Sequence, residues 1–212
     1  MRTVKESNSA ISNNYEENSL RAEVLKYKEK YDNKYKELEK AEKELEKQRQ
    51  NATQNNSDLE SKEEEIKQGN KILGLSEVTG PGVTVTLSDS KKDISSALDP
   101  SSLVVHDLDV LSVINELQNA GAEAISINGQ RIINMSDIVD VGSNSIIFVN
   151  QQRILAPYEI RAIGDSTKLE STLLGNGGYV EELKNYGFDI DITKGKVSIP
   201  KYSKDITHKY IQ

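Results

Sequence analysis

Residues Leu103 to Ile133, LVVHDLDVLSVINELQNAGAEAISINGQRII, decide the fold. Asp107 is placed to cap a helix, because its carboxylate can accept a bond from a free N–H of the first turn. On a helical wheel Val110, Val113, Ile114 and Leu117 fall on one face, and Asn115, Glu116, Gln118 and Asn119 lie away from it. Ala120-Gly121 ends the helix. Ala124-Ile125-Ser126-Ile127 then alternates at period two, as a half-buried strand does. Asn128-Gly129 predicts a two-residue type I′ hairpin, which needs positive φ at both central positions.

Upstream of this stretch, Gly80-Pro81-Gly82 marks the entry to a globular part, and Val83, Val85 and Leu87 alternate inward along a strand. Asp89 to Ser102 reads as a long polar loop. Downstream, Arg131 to Val141 predicts one bent strand with a bulge at Met135-Ser136-Asp137. Gly142-Ser143-Asn144 is a turn, Ile146 to Val149 a buried strand, and Gln151-Gln152 a second hairpin bend. Pro157 marks an edge or break before a strand over Tyr158–Ile163. Thr167 with Glu170 fits a capping box for a helix whose apolar face is Leu169, Leu173 and Leu174. A short helix carrying Val180, Leu183 and Tyr186 follows. Phe188 to Ile192 alternates, and Lys194-Gly195 turns it into Val197 to Pro200. Two β-α-β units flanking a meander predict an α+β fold, ferredoxin-like (split β-α-β), with a mainly antiparallel sheet and helices on one face.

The 212 residues divide by charge. Up to Asn70 there are 14 Lys or Arg against 16 Asp or Glu, and from Lys71 onward 13 against 18. The later part therefore carries most of the net −7, which argues against nucleic-acid binding, since phosphate contact needs clustered cations. There is no cysteine, hence no disulfide, thiolate metal site or cysteine nucleophile. No apolar run approaches a membrane span, and no signal-peptide core is present.

The charged first third has a seven-residue period. Residues 1–19 read as a disordered N-terminus. Residues 20–73 read as a coiled-coil stalk, with Val24, Tyr31, Leu38, Leu45, Ala52, Leu59, Ile66 and Leu73 in one seam column. Lys34, Gln48 and Lys62 weaken the partner column. A run of poor helix formers over 51–56 sets one bent helix against two. Residues 80–202 form the globular α+β domain and 203–212 a polar tail.

The segments GPGVTVTLSDS, LVVHDLDVLSVINELQNAGAEAISINGQRI, APYEIRAIGD and FDIDITKGKVSIPKY resemble the YlxW/YlxX-like family of bacterial proteins of unknown function. The resemblance covers Gly80 to Tyr202. It implies an N-terminal membrane helix, then a coiled coil, then this domain on the extracytoplasmic side of the bacterial cell membrane. It also implies a possible association with cell division, a label drawn from neighbouring genes, and no enzymatic activity. The chain departs from the pattern by lacking the membrane helix, which suggests an ectodomain beginning at an added Met1. It also has Ala156 before Pro157, where many relatives have a second proline.

The candidate ligand or partner surface comprises His106, Asp107, Leu108, Leu111, Asn115, Arg131 and Arg161. His106 beside two acids could bind a metal or serve as a base, but capping and the helix dipole account for the acids, so no catalytic residue, metal or cofactor is expected. Arg131 and Arg161 are isolated strand cations, each better read as half of a salt bridge. Leu108 and Leu111 point off the apolar face and could cover the stalk or a second subunit. Gly175 to Gly178 reads as an interhelical turn rather than an anion cradle. His208 sits in the tail without an evident partner. The expected function is a non-enzymatic structural or interaction protein with a protein partner in the cell envelope, a weak homodimer through the stalk, and membrane contact only through an anchor outside the chain. The competing expectation is a small-ligand sensor or enzyme with a pocket near His106, Arg131 or Arg161.

Overall fold

The structure is a computed structural model describing residues 2–53, 57–92, 100–142, 146–204, 206 and 210, with side chains from residue 19 on except that of Pro100. Residues 93–99 of the expected polar loop, 143–145 of the Gly142 turn, 54–56 of the expected interruption and His208 lie outside the described residues. The chain divides into two units, residues 1–64 and 65–212.

In the first unit, helix α1 spans Arg2–Thr53. The segment expected to be disordered is thus helical from Arg2, and no glycine or proline precedes Gly69 to stop it. A second helix, α2, covers Ser57–Ile72 and continues into the other unit. Asp58 and Glu60 put acids in its first turn, where the helix dipole favours them. The junction between α1 and α2, on which the choice between one bent helix and two rests, lies outside the described residues. The seam side chains of the first unit lie open: Val24, Tyr31 and Leu38 are each more than half exposed. Tyr31 and Tyr35 stack with ring centroids 6.4 Å apart. No helix among the described residues is long and apolar enough to cross a membrane.

The second unit is an α+β domain. Its strands are β1 (Val78–Ser88), β2 (Ala124–Ile127), β3 (Gln130–Ile132), β4 (Ile138–Val141), β5 (Ile146–Val149), β6 (Gln152–Arg153), β7 (Tyr158–Ile163) and β8 (Asp189–Ile199). Helices α3 (Asp107–Asn119), α4 (Ser166–Leu173) and α5 (Tyr179–Tyr186) complete it. One sheet has the order β3-β2-β7-β1-β8 and a smaller one β4-β5-β6, and every pairing is antiparallel. Because β1 and β2 each run antiparallel to β7, they are parallel to one another with β7 between them. By the same logic β7 and β8 are parallel, with β1 between.

One core holds the unit together. Val83, Val85 and Leu87 of β1, Ile160 and Ala162 of β7, and Ile190 of β8 meet Val110, Val113, Ile114 and Leu117 of α3, Leu169 and Leu173 of α4, and Val180 and Leu183 of α5. All three helices therefore cover the same face. The α3 face is the one its periodicity predicts. Ile147 and Val149 of the small sheet join this core. The opposite face of the large sheet carries a smaller cluster, Ala124, Ile163, Val197 and Ile199.

Several local expectations are corrected. His106, not Asp107, is the N-cap of α3: its backbone N–H donates to Asp109 Oδ2 at 2.7 Å. Asp107 instead accepts from Leu108 N at 2.8 Å and from Asp140 N of β4 at 3.0 Å. Arg131 to Val141 is not one bent strand. The chain leaves the large sheet after Ile132, turns with Ser136 N on Ile133 O at 2.9 Å, and enters the small sheet at Ile138. Gly80-Pro81-Gly82 lies inside β1 rather than before it. Pairing to β7 begins only at Gly82, so Pro81 sits where one side of β1 is open, and Gly164 N reaches Pro81 O at 3.0 Å. Lys194-Gly195 makes no turn. β8 is one 11-residue strand paired along all of β1, with Gly195 opposite Gly82. The second hairpin turns on Asn150 and Gln151, at φ 51 and 60. Asp165, whose Oδ1 accepts from Thr167 N and Lys168 N, caps α4 in place of Thr167, and Leu174 is exposed.

The candidate partner surface

The Asn128-Gly129 turn forms as its flanking alternation predicts, with φ 44 and 77 between paired Ile127 and Gln130. Its asparagine also reaches across the fold. Asn128 Nδ2 donates to Leu155 O at 3.0 Å, and Asn128 Oδ1 accepts from Glu159 N at 2.8 Å. The hairpin thereby fixes the approach to β7 and points β3 away as the last strand of the large sheet.

Arg131 sits on that strand and is 4% exposed. Among the described residues no acid meets it within the distance of an ion pair. Its Nη1 contacts Ser76 O and Pro200 O, and its Nη2 contacts Lys71 O, each at 3.5 Å. Lys71 is in the last turn of α2, where a cation suits the helix dipole. The guanidinium thus gathers three separate segments. Gly74, at φ +77, lies against it, and an added Cβ there would come within 2.6 Å of Ile133 Cγ2. Tyr202 N closes the arrangement on Gly74 O at 2.7 Å. Fully buried Asn150 donates Nδ2 to Arg131 O at 3.0 Å and ties the small sheet to the same point. Burial pushes the Arg131 pKa down from its ordinary value, because desolvation penalises the charged form.

A groove of about 950 Å³ opens beside Arg131. One wall is α3, through Leu111, Asn115 and Gln118; the other is Ile133 to Val139, and Ile72 and Leu73 form its lip. Several apolar side chains here stand in water. Ile72 is 84% exposed, Leu73 58% and Met135 53%, while Leu111 and Val139 are about two-fifths exposed. Leu108, one turn before Leu111, is also exposed but does not line the groove.

The structure thus brings Leu111, Asn115 and Arg131 together and leaves His106, Asp107 and Leu108 at the start of α3. Asp109 accepts the Tyr179 hydroxyl at 2.7 Å, and its other oxygen stands 3.8 Å from His106 Nδ1. Burial first, and the bond to Asp109 second, push the Tyr179 pKa up. Among the described residues no three His, Asp or Glu side chains converge as metal ligands would. Arg161 pairs with Glu159 at 2.7 Å, the salt bridge expected of it, and the salt bridge expected of Arg131 is replaced by the three carbonyls. Register aligns Arg131, Ser126 and Arg161 in one row across three strands. The Gly175–Gly178 turn holds no room for an outside anion: Gly177 N donates to Glu181 Oε2 and Tyr179 N to Glu116 Oε1, both at 2.6 Å. Sequence reasoning passed over Asn150 and the exposed Ile72, Met135 and Val139. Only the last three carried a signal, as apolar residues outside any predicted core face.

The family model described as "Bacterial protein of unknown function (DUF881)" matches residues 65–212. The UPF0749 protein YlxW of Bacillus subtilis is 32% identical over 133 residues, 63% of this chain and 56% of that protein. The UPF0749 protein Rv1825 of Mycobacterium tuberculosis is 29% identical over 157 residues, 73% of this chain and 50% of that protein. The chain thus spans about half the length of these curated relatives. A solved structure, of an uncharacterized conserved protein from Mycobacterium tuberculosis, aligns with a TM-score of 0.56 at 27% identity over 70% of this chain and 98% of that one. By its sequence from Glu65 onward, the chain belongs to the DUF881 family of bacterial proteins of unknown function.

Proposed function

We propose that this chain is a non-enzymatic interaction protein, in which a coiled-coil stalk and the α+β domain bind protein partners in the bacterial envelope. The observation that carries the reading is the half-exposed groove wall of Leu111, Met135, Val139, Ile72 and Leu73. Exposed apolar residues grouped along one cleft are a mark of a binding surface. The open seam of Val24, Tyr31, Leu38 and Leu45 is the second surface, and a weak homodimer through it belongs to the same reading. A ferredoxin-like plan, extended by β3 and the small sheet, is supported by the two parallel strand pairs, each split by a third strand. The extracytoplasmic location and the membrane tether rest on the family resemblance. The test is photo-crosslinking in the source bacterium from Leu111 or Met135, with exposed Lys184 as control. A discrete adduct with one envelope protein from the groove positions alone is expected. No adduct, or equal labelling from Lys184, would overturn the proposal.

A further inference from the structure

We infer that two copies of the chain cross at α2, backbone against backbone at Gly69, a reading that rests on the homodimer proposed above and names its point of contact. Gly69 lies inside α2, where glycine is the poorest helix former after proline, and it is the first glycine of the chain. It does not cap the helix. Gly74 does that, at φ 77, with Leu75 N on Asn70 O at 2.8 Å. A Cβ added at Gly69 would meet nothing within 4 Å, so nothing within one copy calls for the missing side chain. Its neighbours on the helix surface are Ile66, three residues before, and Ile72 and Leu73, three and four after. Each of these is more than half exposed, whereas polar Lys67 and Asn70 are partly buried. This end of α2 thus turns its apolar side to water. Lys71 O on Arg131 Nη2 and Gly74 O on Tyr202 N hold it in that orientation.

The repeat selects a second copy as the occupant. Leu59, Ile66 and Leu73 continue in step the seven-residue column that begins at Val24, and such a column fits a helix of the same period. In a parallel pair in register, Gly69 falls opposite Gly69 of the second copy, between the layers made by Ile66 and Leu73. Without a side chain at that layer the two backbones can approach closely. Glu65 then faces Asn70 of the second copy across the seam, so no like charges meet there. One heptad earlier Lys62 occupies the same column and is exposed, and burying its ammonium is costly. The tightest contact therefore sits at the Gly69 end of α2.

The chain has no cysteine, so Gly69→Cys introduces a sole thiol. The full chain carrying it is oxidised beside one carrying Glu64→Cys, which lies on the other side of the helix. Disulfide-linked dimer is expected from Gly69→Cys at least about tenfold faster than from Glu64→Cys, because a disulfide needs the two Cα atoms close together. Gly69→Ala is the second arm. Alanine is the better helix former, so circular dichroism should show α2 intact. Sedimentation equilibrium should nevertheless show self-association weakened at least about tenfold, since the added methyl groups fall between the two backbones. No dimer from Gly69→Cys, equal crosslinking from both thiols, or association that Gly69→Ala leaves unchanged or tightens would each overturn the inference. Photo-crosslinking from the groove, and leucine substitutions at Lys34 and Gln48 in α1, read the proposed function without involving Gly69, so the two failures are distinguishable.

Discussion

At the residue scale, two hairpins of the same geometry make opposite predictions. Gly129 at φ 77 occupies a position that a β-branched side chain reaches only under strain. Gly129→Val should destabilise the domain by about 1–3 kcal/mol in denaturant melts. Gln151 holds the equivalent position of the other turn at φ 60, already carrying that strain. Gln151→Gly should therefore stabilise by about 0.5–1 kcal/mol, and a loss of stability would show that its side chain contributes more than its backbone costs. Tyrosines give a pH signature. Burial is the chief cause pushing the pKa up at both Tyr158 and Tyr179. The folded state thus favours their neutral forms. That contribution is fully present below the unfolded value of about 10 and is lost as pH rises above it. Phenolate absorbance should show a late ionisation at high pH whose amplitude falls in Tyr158→Phe and in Tyr179→Phe, and Tyr179→Phe should make the alkaline loss of stability shallower. A single ionisation step in protein that is still folded would contradict this.

At the scale of elements, β1 and β8 supply the sharpest contrast. Gly82 and Gly195 face each other in register. A Cβ on Gly82 would overlap the Ala162 carbonyl of β7, whereas one on Gly195 meets nothing within 4 Å. Gly82→Ala should cost at least about 3 kcal/mol by forcing β1 and β7 apart, while Gly195→Ala should be neutral or stabilise by up to about 1 kcal/mol. Equal effects in a thermal melt would mean that the register is wrong. This pair also explains what the sequence could show. Period-two and helical patterns marked α3, β2, β7 and the inward face of β1, since burial on one face leaves that periodicity. Gly80-Pro81-Gly82 and Lys194-Gly195 looked like breaks because local turn chemistry takes no account of a strand partner. Once the two strands pair, their glycines are accommodated opposite one another. The groove was only half visible: Leu111, Asn115 and Arg131 stood out along the chain, but Ile72 and Met135 reach it through tertiary packing. The sequence puts the second bend one residue late, at Gln151-Gln152, because the positive φ of Asn150 and Gln151 is imposed by the pairing of β5 and β6.

At the scale of the whole molecule, buried and open apolar surfaces are sharply divided. The helices and the two sheets close on one core, and the remaining large apolar side chains include the stalk seam and the groove. For the seam, Lys34 and Gln48 fall in the column beside Tyr31 and Leu45, and burying an ammonium is costly. Lys34 instead pairs with Glu37 at 2.6 Å, and its side chain is 70% exposed. The full chain should therefore self-associate weakly in sedimentation equilibrium, and Lys34→Leu with Gln48→Leu should tighten association at least about tenfold. No change would mean that the seven-residue period does not mark an interface.

We propose that the chain acts through its groove rather than through chemistry at His106. It is tested most directly by measuring the size of the complex that holds the protein when the bacterial envelope is gently solubilised. Wild type is compared with Leu111→Asp plus Met135→Asp, and with His106→Ala. The account predicts that the double substitution, while still folded, releases the protein from a larger complex and that His106→Ala leaves it in place. A complex unaffected by the groove substitutions, or lost only with His106→Ala, would contradict it.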